Sequence, residues 1–336
     1  MEKKRRPIFQ PNELSEAAVV SMRTRILTAI VGIAIVLPAV IVGDWAIFAI
    51  ICLVCVFGVI EIIRCAKMKY SKALYIVGFI LALLILVWPI LRNLPFASGW
   101  RIFEGYDYLY ISATILFIGI CFSAFTIIID KNFTIIDACF IFTTVWLISF
   151  GLQCALFLRY LPINVTTNDV ASMPYFNGYV NCESSLLLLF VAVGACLNDA
   201  FAYFVGVFFG RNKMNERLSP KKTWEGFFGG VILSAAFLIG AAILFAVFKH
   251  PILEGILDLE HWYHIVILSF VIPLMSTVGD LVFSSIKRHY GIKDFSNLLP
   301  GHGGVLDRID SILFATITVA IYVSIFLFRE GGITLP

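Results

Sequence analysis

The chain has 336 residues, of which 60% are hydrophobic and only 14% charged, with a formal net charge of +3 and a mean hydropathy of +0.94. Soluble domains carry about 25% charged residues, so this composition excludes a water-soluble globule and requires a polytopic membrane protein. Length gives no domain count here, because apolar spans add residues without adding separate cores.

Residues 1–10 form a basic tail with Lys3, Lys4, Arg5 and Arg6, suited to anionic headgroups, although a merely solvated tail fits the same composition. Residues 11–25 place Leu14, Ala18, Val19 and Met22 at helical spacing, the pattern of a short amphipathic helix at the interface. The apolar run that follows reads as a retained first span, since many more come after it. A membrane-crossing helix needs about 20 apolar residues. The stretches that qualify are 26–42, 45–63, 73–91, 109–129, 135–158, 185–206, 227–248, 264–283 and 311–328, which makes about nine spans. The expected fold class is an all-α membrane bundle with a polar cavity that opens to the cytoplasm and sideways to lipid. Its expected regions are a basic cytoplasmic tail and interfacial segment (1–25), N-terminal spans (26–184) and a C-terminal catalytic region (185–336).

An odd number of spans puts the termini on opposite sides, and the 25 Lys and Arg residues test that arrangement. The tail and the loops near Arg64, Lys131, Lys213 and Lys287 share one side and hold 20 of them, leaving Arg92, Arg101, Arg159, Lys249 and Arg329 on the other. Cytoplasmic loops hold the basic excess, so the N-terminus and the two richest polar loops are expected inside. The eight cysteines lie mostly in apolar spans. Cys52 and Cys55 mimic a redox or zinc spacing but lack further ligands, and read as core. Asn164, Val165 and Thr166 form a glycosylation sequon in an expected outer loop.

Ionisable groups inside spans are costly and need a reason. Asn198 and Asp199 lie about 13 residues into the sixth span, or roughly 20 Å from its outer end at 1.5 Å per residue. Asp280 sits equally late in the eighth span, and Asp307 and Asp310 begin the ninth, which returns from the same side. Any one of these could be a packing group, but like charges gathered at one depth need a cation or protons. Asp307 and Asp310 are three apart and share a helical face. Oxygen ligands with open positions suit magnesium better than zinc; His289 and His302 have no partner at zinc-ligand spacing. The stretch Ser285 to Asp310 adds Lys287, Arg288, Lys293 and Arg308 for anions, and Gly301, Gly303 and Gly304 where backbone could approach a phosphate.

In the loop before the seventh span, Ser219 followed by Pro220 reads as a helix start. Lys221 and Lys222 would then occupy the first turn, where cations oppose the helix dipole and a bound anion would explain them. Positive-inside bias alone also places lysines in such a loop. Trp224 reads as an interfacial anchor beside Glu225.

The run SIKRHYGIKDFSNLLPGHGGVLDRID resembles the signature of the phosphatidate cytidylyltransferases, also called CDP-diacylglycerol synthases. The segments NDAFAYFVGVFFGRNKM and SPKKTWEGFFGG are similar to the blocks that precede it in that family, with Met214 in place of an expected leucine. The resemblance implies that phosphatidic acid attacks the α-phosphorus of CTP, giving CDP-diacylglycerol and pyrophosphate. It implies Mg2+ at Asp280, Asp307 and Asp310, with Lys287 and Arg288 as further catalytic groups, and a K+ ion beside the magnesium. The expected substrate contacts are Asn198, Asp199, Arg211, Ser219, Lys221, Lys222, Thr223, Glu225, Ser285, Lys293, His302, Gly303, Gly304 and Arg308. It further implies a homodimer. A bacterial inner membrane is expected because no organelle-targeting presequence stands out, and the distribution of basic residues puts the active site on the cytoplasmic side; no nucleic-acid partner is expected.

Other readings stay open on the residues alone. A related cytidylyltransferase acting on another lipid phosphate fits the same motifs. A secondary transporter also gathers carboxylates, though usually near the bilayer midplane on broken helices. A scaffold or lipid-binding module would use the basic loops but has no need of the aspartates. Alcohol phosphotransferases would show further paired aspartates, which are missing around Asp307.

Overall fold

The computed structural model describes residues 16–65, 76, 78–86, 119–121, 134–160, 182–215, 217–253 and 255–329. The long helices among them are α1 (Glu16–Val42), α2 (Asp44–Cys65), α3 (Ile135–Tyr160), α4 (Cys182–Phe209), α5 (Trp224–Val247), α6 (Trp262–His289) and α7 (Leu306–Arg329). Among the described residues, seven helices are long and apolar enough to cross a membrane. The protein is an all-α polytopic membrane protein. Of the expected spans at 73–91 and 109–129, residue 76, 78–86 and 119–121 are helical, and the rest lies outside the described residues. The tail 1–10, the sequon and Lys131 also lie outside them.

Two sequence expectations change here. The interfacial segment and the first span are one continuous helix, α1, from Glu16 onward. The helix expected to start at Ser219 starts later, because Ser219–Thr223 is a strand (β2) paired antiparallel with Lys213–Asn215 (β1). Asn215 closes that hairpin by accepting the amides of Arg217 and Leu218 on Oδ1, an Asx-type turn. Extended backbone suits Pro220 as well as a first helical turn does. Thr223 is the actual cap: its backbone is extended, and its hydroxyl accepts the Gly226 amide at 3.1 Å. Lys221 and Lys222 therefore lie on a strand, and the dipole explanation for them falls away.

The helices meet where small residues permit it. A side chain at Gly230 would reach the Asn198 carbonyl at 3.0 Å, and one at Gly279 would reach the Asp310 carbonyl at 2.6 Å. These two positions bring α5 against α4 and α6 against α7. One apolar cluster joins Val59, Ile62 and Ile63 of α2 with Val145 of α3, Phe283 of α6 and Leu306 of α7. A second joins Leu158, Val191, Leu238, Leu268, Ile272 and Val319 farther along the bundle. Exposed apolar faces such as Phe228, Ile232, Phe237 and Leu244 of α5 fit a lipid surround.

Chain direction gathers the start of α1, α3, α5 and α7 and the finish of α2, α4 and α6 at one end. Contacts confirm it: Thr28 donates to the Pro300 carbonyl at 2.9 Å, and Phe140 packs on Tyr290. At the opposite end Arg159, only 3% exposed, donates to the carbonyls of Val40 and Ile41, and His264 pairs with Tyr322.

Candidate functional site

The segment between α6 and α7 is built around carboxylates. Asp307 Oδ2 accepts the amides of Phe295 and Gly304, each at 2.9 Å, and Oδ1 faces Lys287 Nζ at 2.7 Å. Lys287 Nζ also lies 3.7 Å from Asp310 Oδ2 and 5.3 Å from the centre of the Phe295 ring. Gly301 and Gly303 have φ of +76° and +83°, values that favour glycine. They turn the chain so that Leu299 and Gly303 exchange backbone hydrogen bonds.

Sequence reasoning passed over Glu61, a buried carboxylate near the end of α2. Its Oε1 accepts Ser296 Oγ at 2.6 Å and the Val305 amide at 2.9 Å, and its Oε2 accepts the Leu306 amide at 2.8 Å. A side chain at Gly304 would come within 2.7 Å of both oxygens. Gly304 thus makes room for a carboxylate, which gives this glycine a reason other than phosphate approach. The available signal was a lone acid in an otherwise apolar span.

Beside this segment lies a cavity of about 580 Å³ walled by α4, β1, β2, α5 and α6. Asn198, Asp199, Ser219, Lys222, Thr223 and Asp280 all line it. Lys222 Nζ donates to Asp280 Oδ2, and Ser284 Oγ donates to Asp280 Oδ1 at 3.1 Å. Ser311 Oγ bridges Asp199 Oδ2 and Asp310 Oδ1 at 3.2 and 3.3 Å. Asp199 and Asp280 thus share one cavity wall, and Ser311 links Asp199 to Asp310. Asn198 donates to Thr277 Oγ1 at 2.9 Å, which itself donates to the Pro273 carbonyl. That chain orients the amide and leaves Asn198 Oδ1 a buried acceptor without a partner among the described residues.

Other expected site residues have structural duties or stand apart. Arg288 donates to the carbonyls of Leu218 and Ile292, tying the hairpin to the finish of α6. Glu225 accepts the amides of Arg211 and Asn212 and so clamps the start of the hairpin to α5. Ser285, Lys293 and Arg308 are exposed, and His302 Nδ1 is buried without a partner among the described residues. The Lys221 side chain lies outside the described residues.

Among the described residues, no three Asp, Glu, His or Cys side chains are grouped to hold a metal ion by themselves. Instead Asp280 faces the ammonium of Lys222, while Asp307 and Asp310 face that of Lys287. The donors are all oxygen, and magnesium commonly takes only one or two carboxylates, with phosphates and waters completing its shell. The set fits such an ion, with Asp307 limited to Oδ1.

A family model described as "Cytidylyltransferase family" matches residues 23–326. The chain is similar to a phosphatidate cytidylyltransferase of Bacillus subtilis (strain 168), with 30% identity over 295 residues, covering 88% of this chain and 95% of that one. A phosphatidate cytidylyltransferase of Haemophilus influenzae is 33% identical over 304 residues, covering 88% and 96%. One from Mycobacterium leprae is 43% identical over a shorter 132 residues, 37% of this chain and 36% of that one. Because the family match and the two long alignments take in the N-terminal helices as well as the segment between α6 and α7, the likeness is not confined to a motif, and the chain belongs to the cytidylyltransferase family.

Proposed function

We propose that the protein makes CDP-diacylglycerol and pyrophosphate from CTP and phosphatidic acid, at the bundle end where the carboxylates gather. A phosphate oxygen of phosphatidic acid attacks the α-phosphorus of CTP. One P–O bond forms, the bond from that phosphorus to the oxygen bridging to the β-phosphate breaks, and pyrophosphate leaves with the electron pair.

The observation that carries this reading is the composition of the cavity wall. One side presents Lys222, Asp280 and Asp199, while Tyr203 and Val207 on another side are 65% and 62% exposed on the lipid-facing surface of α4. A water-soluble triphosphate and a two-chained lipid can meet there. The similarity to phosphatidate cytidylyltransferases supports the same substrates.

Lys222 and Lys287 supply positive charge to the phosphate oxygens as charge shifts toward the leaving pyrophosphate. Thr223 and Glu225 hold the hairpin that carries Lys222, and Asn198 Oδ1 offers an acceptor to a substrate hydroxyl or amine. Asp280 and Asp310, with Oδ1 of Asp307, would hold magnesium, which when bound neutralises charge on the triphosphate. The potassium ion and the homodimer implied by the resemblance belong to the same proposal. The excess of basic residues at this end supports a cytoplasmic site, and the bacterial relatives support a bacterial membrane.

The test is purified protein in detergent with dioleoyl phosphatidic acid, magnesium and, separately, labelled CTP, dCTP and UTP. A labelled liponucleotide with CTP supports the reading. If dioleoyl phosphatidic acid gives none, while another lipid phosphate supplied in its place takes up the label, that lipid replaces phosphatidic acid as the substrate.

A further inference from the structure

Glu61 is not among the residues that line the cavity, yet it is 3% exposed and both of its oxygens accept hydrogen bonds. Its partners lie 235 to 245 residues away in sequence. The first amides of a helix have no partner within the helix. At α7 the amides of Val305 and Leu306 go to Glu61, and the preceding amide of Gly304 goes to Asp307. A negative charge is favoured at that helix end. Asp310 lies one turn farther along the same helix, and Asp307 holds Lys287. The missing side chain of Gly304 is an independent sign of the same fit, since any larger residue there would push the carboxylate away.

We propose that Glu61 is a positioning residue for the reaction: from α2 it fixes the start of α7, and through it the places of Asp307, Asp310 and Lys287. The N-terminal helices are then part of the active machinery, although the reacting groups all come from residues 198 onward. This inference rests on the reading of the reaction given above. It assigns Glu61 no contact with CTP or phosphatidic acid.

The experiment compares the full-length protein with Glu61→Gln, Glu61→Ala, Gly304→Ala and the Glu61→Ala/Gly304→Ala double variant in detergent. Turnover on CTP and dioleoyl phosphatidic acid is measured beside hydrogen exchange of the segment holding Val305 and Leu306. Small displacements of reacting groups cost up to about 100-fold in rate, so Glu61→Ala should lower kcat by roughly that factor, with KM for both substrates within about threefold. Glu61→Gln keeps the volume and one acceptor and should restore part of kcat. Gly304→Ala alone should act like a weaker Glu61→Ala, but the double variant should be no worse than Glu61→Ala, because the alanine methyl then occupies the vacated space.

Exchange at Val305 and Leu306 should quicken in each Glu61 variant. If Glu61→Ala does not fold, Glu61→Gln and Gly304→Ala carry the same comparison. A folded Glu61→Ala protein with wild-type kcat, a loss confined to KM, or losses that multiply in the double variant would each overturn the proposal. If the wild type makes no CDP-diacylglycerol, the substrate reading fails, while unchanged exchange in Glu61→Gln would still reject the role of Glu61.

Discussion

Replacing Lys287 by Met and Lys222 by Gln separates two lysines that look equivalent in sequence. The Lys287 side chain is 10% exposed, and the carboxylates of Asp307 and Asp310 that face it are 3% and 9% exposed. Lys287→Met would leave those two carboxylates buried together without their counter-charge. Breaking a buried pair from one side costs about 3 to 5 kcal/mol. Lys222 and Asp280 are 29% and 23% exposed and open on the cavity. A partly solvated pair is worth roughly 1 kcal/mol or less, so Lys222→Gln should be nearly as stable as the wild type. Activity should not follow stability: Lys222→Gln folds but loses turnover, since its ammonium belongs to the cavity wall. The assay is thermal melting in one detergent without divalent metal, repeated with magnesium, alongside the rate of CDP-diacylglycerol formation. Magnesium should recover part of the Lys287→Met loss, because a bound cation stabilises the folded state that holds it. A Lys287→Met protein that melts with the wild type, or a Lys222→Gln protein that melts lower, would refute this division.

Orientation is tested with single cysteines at Lys293 and Glu260, exposed positions at opposite ends, in a background without the native cysteines. An impermeant maleimide applied to intact cells should label Glu260→Cys and spare Lys293→Cys; the reverse would invert the topology. At the opposite end, burial works to raise the Asp258 carboxyl, but the amides of His261 and Gly255 and the His261 ring outweigh it and hold it below its usual range. A lowered folded-state value means stability present above the unfolded value of about 4 and lost as pH falls through the folded one. Melting of the wild type and Asp258→Asn should therefore differ near neutrality and converge in acid, and a gap that persists at low pH would rule this out.

The membrane class was legible from composition, and the convergence of Asp199, Asp280 and Asp310 from their depth within apolar spans. Both follow from the cost of placing charge in lipid, which leaves few arrangements. What the sequence hid was local or long-range. Ser219 and Pro220 satisfy the rules for a helix start as well as those for a strand, and only pairing with Lys213–Asn215 decides between them. The grip of Glu61 on Val305 and Leu306 depends on tertiary packing that no spacing rule encodes. The glycines between α6 and α7 suggested phosphate approach because glycine signals closeness without saying to what. At Gly304 the neighbour is the protein's own carboxylate.

The way α1 is held has a consequence for how the protein is made. Its polar anchors come from Pro300 at one end and Arg159 at the other, 272 and 119 residues later in the chain. During synthesis α1 enters the bilayer long before either anchor exists. Until then it has only neighbours such as α2 to pack on, and its sequence suits that wait: only 11% of its most apolar stretch is buried even in the finished bundle, so most of its surface already tolerates lipid. Glu61 waits as well, its partners arriving only when residues 296–306 emerge. The end of the bundle that carries the reacting groups thus closes only once α7 has emerged.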